Sequence, residues 1–71
     1  MYRHIESRKL RKAREAAVLS QHGLAERAKL STDTVARLER GPERVRPSTI
    51  QKLAKALHMQ PADLVAAEEE T

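Results

Sequence analysis

The residues with the most legible chemistry lie between positions 21 and 46. Thr32, Asp33, Ala36 and Arg37 fall on the side of a helical pattern opposite Val35 and Leu38. A guanidinium can donate two parallel hydrogen bonds, the pattern that a guanine edge accepts in the DNA major groove. A carboxylate accepts from cytosine N4, and a hydroxyl can do either. Thr32, Asp33 and Arg37 are therefore candidate base-reading residues. Asp33 repels phosphate, so it would reject wrong sites rather than add affinity. In the first turn of a helix it serves the helix dipole equally well. Arg37 suits a phosphate or an intrahelical partner as well as a base. Arg40, Arg44 and Arg46 cluster just beyond and suit phosphate oxygens. Gln21 opens a second helical segment, whose free amides and positive dipole end attract anions, and it adds a side-chain donor.

Other chemistries find little support. His4, His22 and His58 are scattered, with no pair at the i, i+4 spacing of a helical metal site. No metal site and no cofactor are expected. No nucleophile–base–acid arrangement or glycine-rich phosphate loop stands out, so the chain does not read as an enzyme. Tyr2 is the sole aromatic residue, which argues against base stacking on single strands or RNA. Twelve Lys and Arg face six Asp and Glu over residues 1–46, and two face four over residues 47–71; the resulting +6 and −2 make up the net +4. All nine arginines precede position 47. A basic part beside a mildly acidic part suggests an oriented surface for a polyanion, although a solvated exterior explains charge alone as well.

A chain of 71 residues is one domain with a small core. With no Cys, neither disulfides nor thiolate metal sites hold it together. The core must be aliphatic, drawn from 8 Leu, 2 Ile, 4 Val and 11 Ala. Many Ala and Leu with only 2 Gly read as all-α. No apolar run approaches the roughly 18 residues of a membrane span, so a soluble, cytoplasmic protein is expected.

The spacing predicts five short helices. The first runs from about residues 5–7 to Ala17, around Leu10 and Ala13. Ser20 caps the second, about Gln21–Ala28, and Ser31 caps the third, about Thr32–Arg40. Gly41-Pro42 stops the third, and residues 41–47 read as a loop. Ser48 with Gln51 suggests a capping box for the fourth, with Ile50, Leu53, Ala54 and Leu57 facing the core. A fifth short helix follows Gln60-Pro61. The expected architecture is a compact all-α five-helix domain with core residues 5–66, a helix-turn-helix at residues 21–40, and an acidic tail at residues 67–71. Two amphipathic helices so close together form a helix-turn-helix, a motif that places its second helix in the major groove. Most helix pairs bind no DNA, so spacing alone leaves the function open.

Leu19-Ser20-Gln21, Leu24-Ala25-Glu26-Arg27-Ala28, Leu30-Ser31, Thr34-Val35, Leu38-Glu39-Arg40-Gly41 and Pro47-Ser48-Thr49-Ile50 occur in that order. With Leu10–Glu15 before them and Leu53–Leu57 and Leu64 after, they resemble the phage repressor and Cro, or Xre-like, helix-turn-helix family over about residues 7–66. The resemblance implies a five-helix DNA-binding domain that works as a dimer on a two-fold operator. It places Gln21 on a phosphate and against the reading helix. It places Thr32, Asp33 and Arg37 at base edges, and Thr34 and Arg40 near the DNA backbone. It also implies that Arg14 and Glu39 form a buried ion pair. Where the family prefers glycine after the first helix and inside the helix-turn-helix, this chain has Val18 and Lys29. Lys29 is thus expected in the left-handed region, unless the turn is built differently.

The function expected is a small transcription regulator of double-stranded DNA, a homodimer through Met59, Leu64 and Val65. With no room for an effector domain, control would act through concentration, dimerisation or a partner. The rival expectation is an antitoxin-like module that holds a partner protein, with DNA binding secondary. Glu68–Glu70 reads as a solvated end, or as a contact for a basic partner.

Overall fold

A computed structural model describes residues 2–41 and 43–65. Strand β1 (Arg3–Ile5) leads into α1 (Ser7–Ala16), α2 (Gln21–Ala28) and α3 (Thr32–Arg40). Strand β2 (Glu43–Val45), α4 (Pro47–Ala56) and a 3₁₀ turn (Pro61–Leu64) follow. The acidic tail and Pro42 lie outside the described residues.

Three features differ from the sequence reading. First, the fold is mostly helical, but β1 and β2 form a small antiparallel sheet, pairing Arg3 with Val45, His4 with Arg44 and Ile5 with Glu43. Ile5 and Val45 are buried, so each strand anchors one aliphatic residue in the core. Second, the fifth helix is a single 3₁₀ turn. Pro61 has no N–H to lose at its first position, and the Asp63 carboxylate accepts from the Gln60 N–H at 3.3 Å. Third, Ser48 does not cap α4. Arg46 is the cap residue and Pro47 opens the helix, its fixed φ already suited to the first turn.

The other caps are side-chain built. Ser20 Oγ accepts from the Gly23 N–H at 2.9 Å and Ser31 Oγ from the Thr34 N–H at 3.1 Å. Glu6 does the same for α1 through the Arg8 N–H. Leu10, Leu24, Val35, Leu38, Ile50, Leu53 and Leu64 are all at most 1% exposed. Leu64 therefore belongs to the core of its own chain, and its side chain is not available to a dimer surface. The Glu6 N–H also donates to the Leu64 carbonyl at 2.8 Å, closing the two ends of the described chain on each other.

Helices α1, α2 and α4 end in the same way. Val18, Lys29 and His58 sit at φ 58°, 60° and 57°. At each end, one N–H reaches back six residues' span and its neighbour closes a tighter turn inside it. The Leu19 N–H donates to the Arg14 carbonyl, Leu30 to Ala25 and Met59 to Ala54, while Val18, Lys29 and His58 donate to Glu15, Glu26 and Lys55. This is the Schellman arrangement, which usually places glycine at the left-handed position. The following residues Leu19, Leu30 and Met59 all pack against the core. Burial of those three side chains holds the turns closed against the strain of a Cβ at positive φ. Gly41, after α3, is extended at φ −174° instead, so no left-handed backbone requires a glycine there.

One charged residue among those described is buried among the aliphatics. Glu39 is 4% exposed, and Arg14 binds it with two hydrogen bonds, Nε to Oε2 at 2.6 Å and Nη2 to Oε1 at 3.0 Å. Arg14 Nη1 also donates to the Leu19 carbonyl at 2.8 Å, and Gln21 Nε2 donates to Glu39 Oε1 at 3.1 Å. The carboxylate holds the guanidinium's pKa above its ordinary value against the opposing cost of burial.

Two expectations follow. Val18 is 90% exposed, so Val18→Gly loses no packing while removing a β-branched residue from the left-handed region. Strain relief outweighs the added unfolded-state entropy by about 0–1 kcal/mol, a rise of up to roughly 4–8 °C in thermal midpoint. A lower midpoint would show that this turn carries no strain. Arg14→Ala or Glu39→Ala alone should cost about 3–5 kcal/mol by stranding a buried charge. A double-mutant cycle by chemical denaturation should return strong coupling, and coupling near zero would mean that the pair acts as two independent surface charges.

Candidate nucleic-acid interface

Asp33, Ala36, Arg37 and Arg40 follow the i, i+3, i+4, i+7 spacing, which makes one stripe along α3. Thr32 joins it one turn before Ala36. The opposite side of the helix, through Val35, Leu38 and Glu39, is buried. Asp33, Arg37 and Arg40 are exposed, so the stripe is polar and outward, fixed by the helix's buried side rather than by its own contacts.

Each candidate residue has a defined neighbour. Arg37 lies between two carboxylates, Nη1 to Asp33 at 3.5 Å and Nε to Glu43 at 3.4 Å. Asp33 thus faces a guanidinium as well as the positive end of its helix. The Thr32 hydroxyl meets His22 Nδ1 at 3.1 Å, and His22 Nε2 lies 3.4 Å from Glu26. The Thr34 hydroxyl pairs with Ser31 Oγ at 2.8 Å, beside the cap of α3. Gln21 is turned inward to Glu39 and so braces α3 against α2.

Two cationic groups lie outside the stripe. Toward the start of α2, Arg40, Arg11, Gln21 and Ala36 line a shallow concavity of about 420 Å³. Toward β2, Arg46 Nε donates to the Tyr2 hydroxyl at 3.5 Å, and the Arg44 guanidinium stands 5.8 Å from the centre of the Tyr2 ring. That hydrogen bond and the Arg46 charge hold the Tyr2 hydroxyl's pKa below its ordinary value. The single aromatic residue therefore gathers two arginines that lie more than forty positions away in sequence. Met59 and Val65 are half-buried, set apart from α3 with the end of the described chain.

Sequence reasoning missed Tyr2, Arg11, His22 and Glu43. The signal for Arg11 was present, since it lies one turn before Arg14 on α1. Tyr2 and Glu43 become relevant only through the pairing of β1 with β2, which no local pattern reveals. No helix among the described residues is long and apolar enough to cross a membrane.

Comparison with known proteins places this geometry. A family model described as a helix-turn-helix domain matches residues 7–67. Among solved structures, the restriction-modification controller protein C.AhdI from Aeromonas hydrophila is 38% identical, with a TM-score of 0.76, over 80% of this chain and 86% of that one. Streptomyces albus HEPD, solved with 2-hydroxyethylphosphonate and Fe(II), is 32% identical with a TM-score of 0.82. A hydroxyethylphosphonate dioxygenase is 27% identical with a TM-score of 0.79. This chain spans only 14–15% of those two enzymes' chains, so the likeness concerns one helical portion of each. No curated protein matches. The matched span takes in every helix and the whole polar stripe, and the chain belongs to the Xre-like helix-turn-helix family of DNA-binding transcription regulators.

Proposed function

We propose that this protein is a sequence-specific regulator that binds a two-fold operator as a homodimer, with α3 in the major groove. The observation that carries the reading is the outward polar stripe of α3, with Arg37 and Arg40 exposed on it opposite the buried Val35, Leu38 and Glu39. Arg37, Thr32 and Asp33 face base edges, with Arg37 donating to a guanine. Asp33 and Glu43 hold its guanidinium across the stripe, where a base edge rather than a phosphate would meet it. Arg40, Arg44 and Arg46 contact phosphates on the two flanks, joined by Arg11. Gln21 and Thr34 complete the backbone contacts, Gln21 from its braced position at the start of α2. Met59 and Val65, without the Leu64 side chain, supply apolar surface for the partner protomer. The similar controller from Aeromonas hydrophila supports regulation of a restriction-modification system as the class of task.

The phosphate contacts are tested by salt. With about three phosphates neutralised per half-site, a dimer should give a log–log slope of affinity against salt near about −5. Arg44→Ala should weaken binding to all duplexes alike and make that slope shallower. Retained affinity with a flat slope would overturn the phosphate assignment. The base-reading role is tested separately. Arg37→Ala should relax preference at one base position per half-site, costing about 1–3 kcal/mol there. Binding measured on an operator selected from random DNA and on its single-base variants reads this out. Equal weakening on selected and random duplexes would make Arg37 a phosphate contact.

A further inference from the structure

Thr32 opens α3, and its hydroxyl meets His22 Nδ1 on α2 at 3.1 Å. The other ring nitrogen, Nε2, lies 3.4 Å from the Glu26 carboxylate one turn along α2. An ionised carboxylate accepts hydrogen bonds and donates none. When the imidazole is neutral, its one proton therefore sits on Nε2, toward Glu26. Nδ1 then holds a lone pair, and the Thr32 hydroxyl donates to it. A threonine hydroxyl has one proton and two lone pairs. With the proton committed to His22, Thr32 presents only lone pairs to a group outside the helix. Protonation of the ring reverses this. Both nitrogens then donate, Nδ1–H points at the Thr32 oxygen, and the hydroxyl proton turns away from the ring.

We propose that His22 determines which base edge Thr32 reads, and that protonation of His22 switches the preference. The inference rests on the proposed reading, with α3 in the major groove and Thr32 at a base edge. In that groove cytosine and adenine present an amino donor, whereas guanine and thymine present a carbonyl acceptor. With His22 neutral, Thr32 accepts and so favours an amino group. With His22 protonated, Thr32 donates and favours a carbonyl. Glu26 is the charged group that faces His22 from its own helix. From α3, Asp33 follows Thr32, but its carboxylate is engaged by Arg37 at 3.5 Å. Among the described residues, no other ionisable side chain comes within ion-pair distance of His22. The His22 side chain is 71% exposed. Its proton exchanges freely with solvent, and its removal takes nothing from the core.

The test uses the full chain and an operator selected from random duplexes at neutral to basic pH. Thr32→Val, which keeps the side chain's shape without its hydroxyl, locates the base pair whose selection the hydroxyl carries. A transition at that pair exchanges amino and carbonyl groups on both bases, and uracil in place of thymine leaves out the methyl. The selected pair and its transition partner are then compared at about pH 8 and about pH 5.5, which span the usual range of imidazole titration. The affinity ratio should favour the selected pair by about 3- to 10-fold at the higher pH, the worth of one hydrogen bond. It should fall to unity or invert at the lower pH. A ratio cancels any gain that protonated His4 and His58 bring to every duplex alike. In His22→Ala the ratio should no longer move with pH, while preference at the Arg37 base pair stays intact. A ratio independent of pH in the native chain, or one that still shifts in His22→Ala, would overturn the proposal. Loss of the Arg37 preference in His22→Ala would overturn it too, making His22 a structural brace. If Thr32→Val changes no base preference while Arg37→Ala relaxes its own, this inference falls and the reading of α3 stands. Base selection carried by neither residue would overturn both.

Discussion

The Arg14–Glu39 pair is the constraint on which the rest of the interface depends. A carboxylate with 4% exposure near the end of the outward-facing helix is tolerable only if its oxygens are fully engaged. Arg14 engages both oxygens and Gln21 adds a third hydrogen bond. Because Arg14 also holds the Leu19 carbonyl, its guanidinium ties together α1, the turn after it and the end of α3, and the Glu39 carboxylate adds the start of α2 through Gln21. An apolar substitute of the same volume would fill the space as well, and often with more stability. It would lack the planar two-point geometry, which adds a directional constraint on the rotation of α3 to the one set by the buried Val35 and Leu38. That rotation decides whether Arg37 and Arg40 face outward together.

The three left-handed helix ends have a similar logic. Each turn could be relaxed by glycine, yet Val18, Lys29 and His58 stand there. The cost of roughly 1 kcal/mol or more at each is borne by the burial of Leu19, Leu30 and Met59 one residue later. Lys29 and His58 both border a basic cleft between α2 and α4, so two of the three strained positions place side chains that glycine would delete. Val18 borders nothing and is almost fully exposed, which makes it the position where strain has no visible return.

Legibility in the sequence tracked locality. The bounds of α2 and α3 were readable because a serine cap precedes each and an aliphatic face repeats within it. The strained turn at Lys29 was readable because a family resemblance puts glycine there, whereas His58 had no such prompt. The small sheet was not readable: three residues carry no period, and what makes Arg3–Ile5 a strand is a partner forty positions away. Leu64 looked available for a dimer because its 3₁₀ turn is too short to have a pattern that separates inside from outside. Of the interface, the identities on α3 were legible, but their partners were not. Arg37 meets Glu43, Arg46 meets Tyr2 and Gln21 meets Glu39 only once the chain is folded.

Those partners bear on how the stripe would discriminate among duplexes under the proposed reading. Arg37 rests between Asp33 and Glu43 in ion pairs that are exposed and long, each worth about 0–1 kcal/mol. They are too weak to hold the guanidinium away from a better acceptor. They are strong enough to orient it and to place two negative charges beside the phosphate path. On a random duplex the carboxylates repel the DNA backbone, and Arg37 gains nothing that it does not already have. Opposite a guanine, the fixed pair of acceptors replaces the two long contacts with two short ones. Discrimination at this position then comes from a penalty imposed on every wrong site as much as from a bond made at the right one. Under the same reading, the arginines on the flanks would supply affinity that is indifferent to sequence.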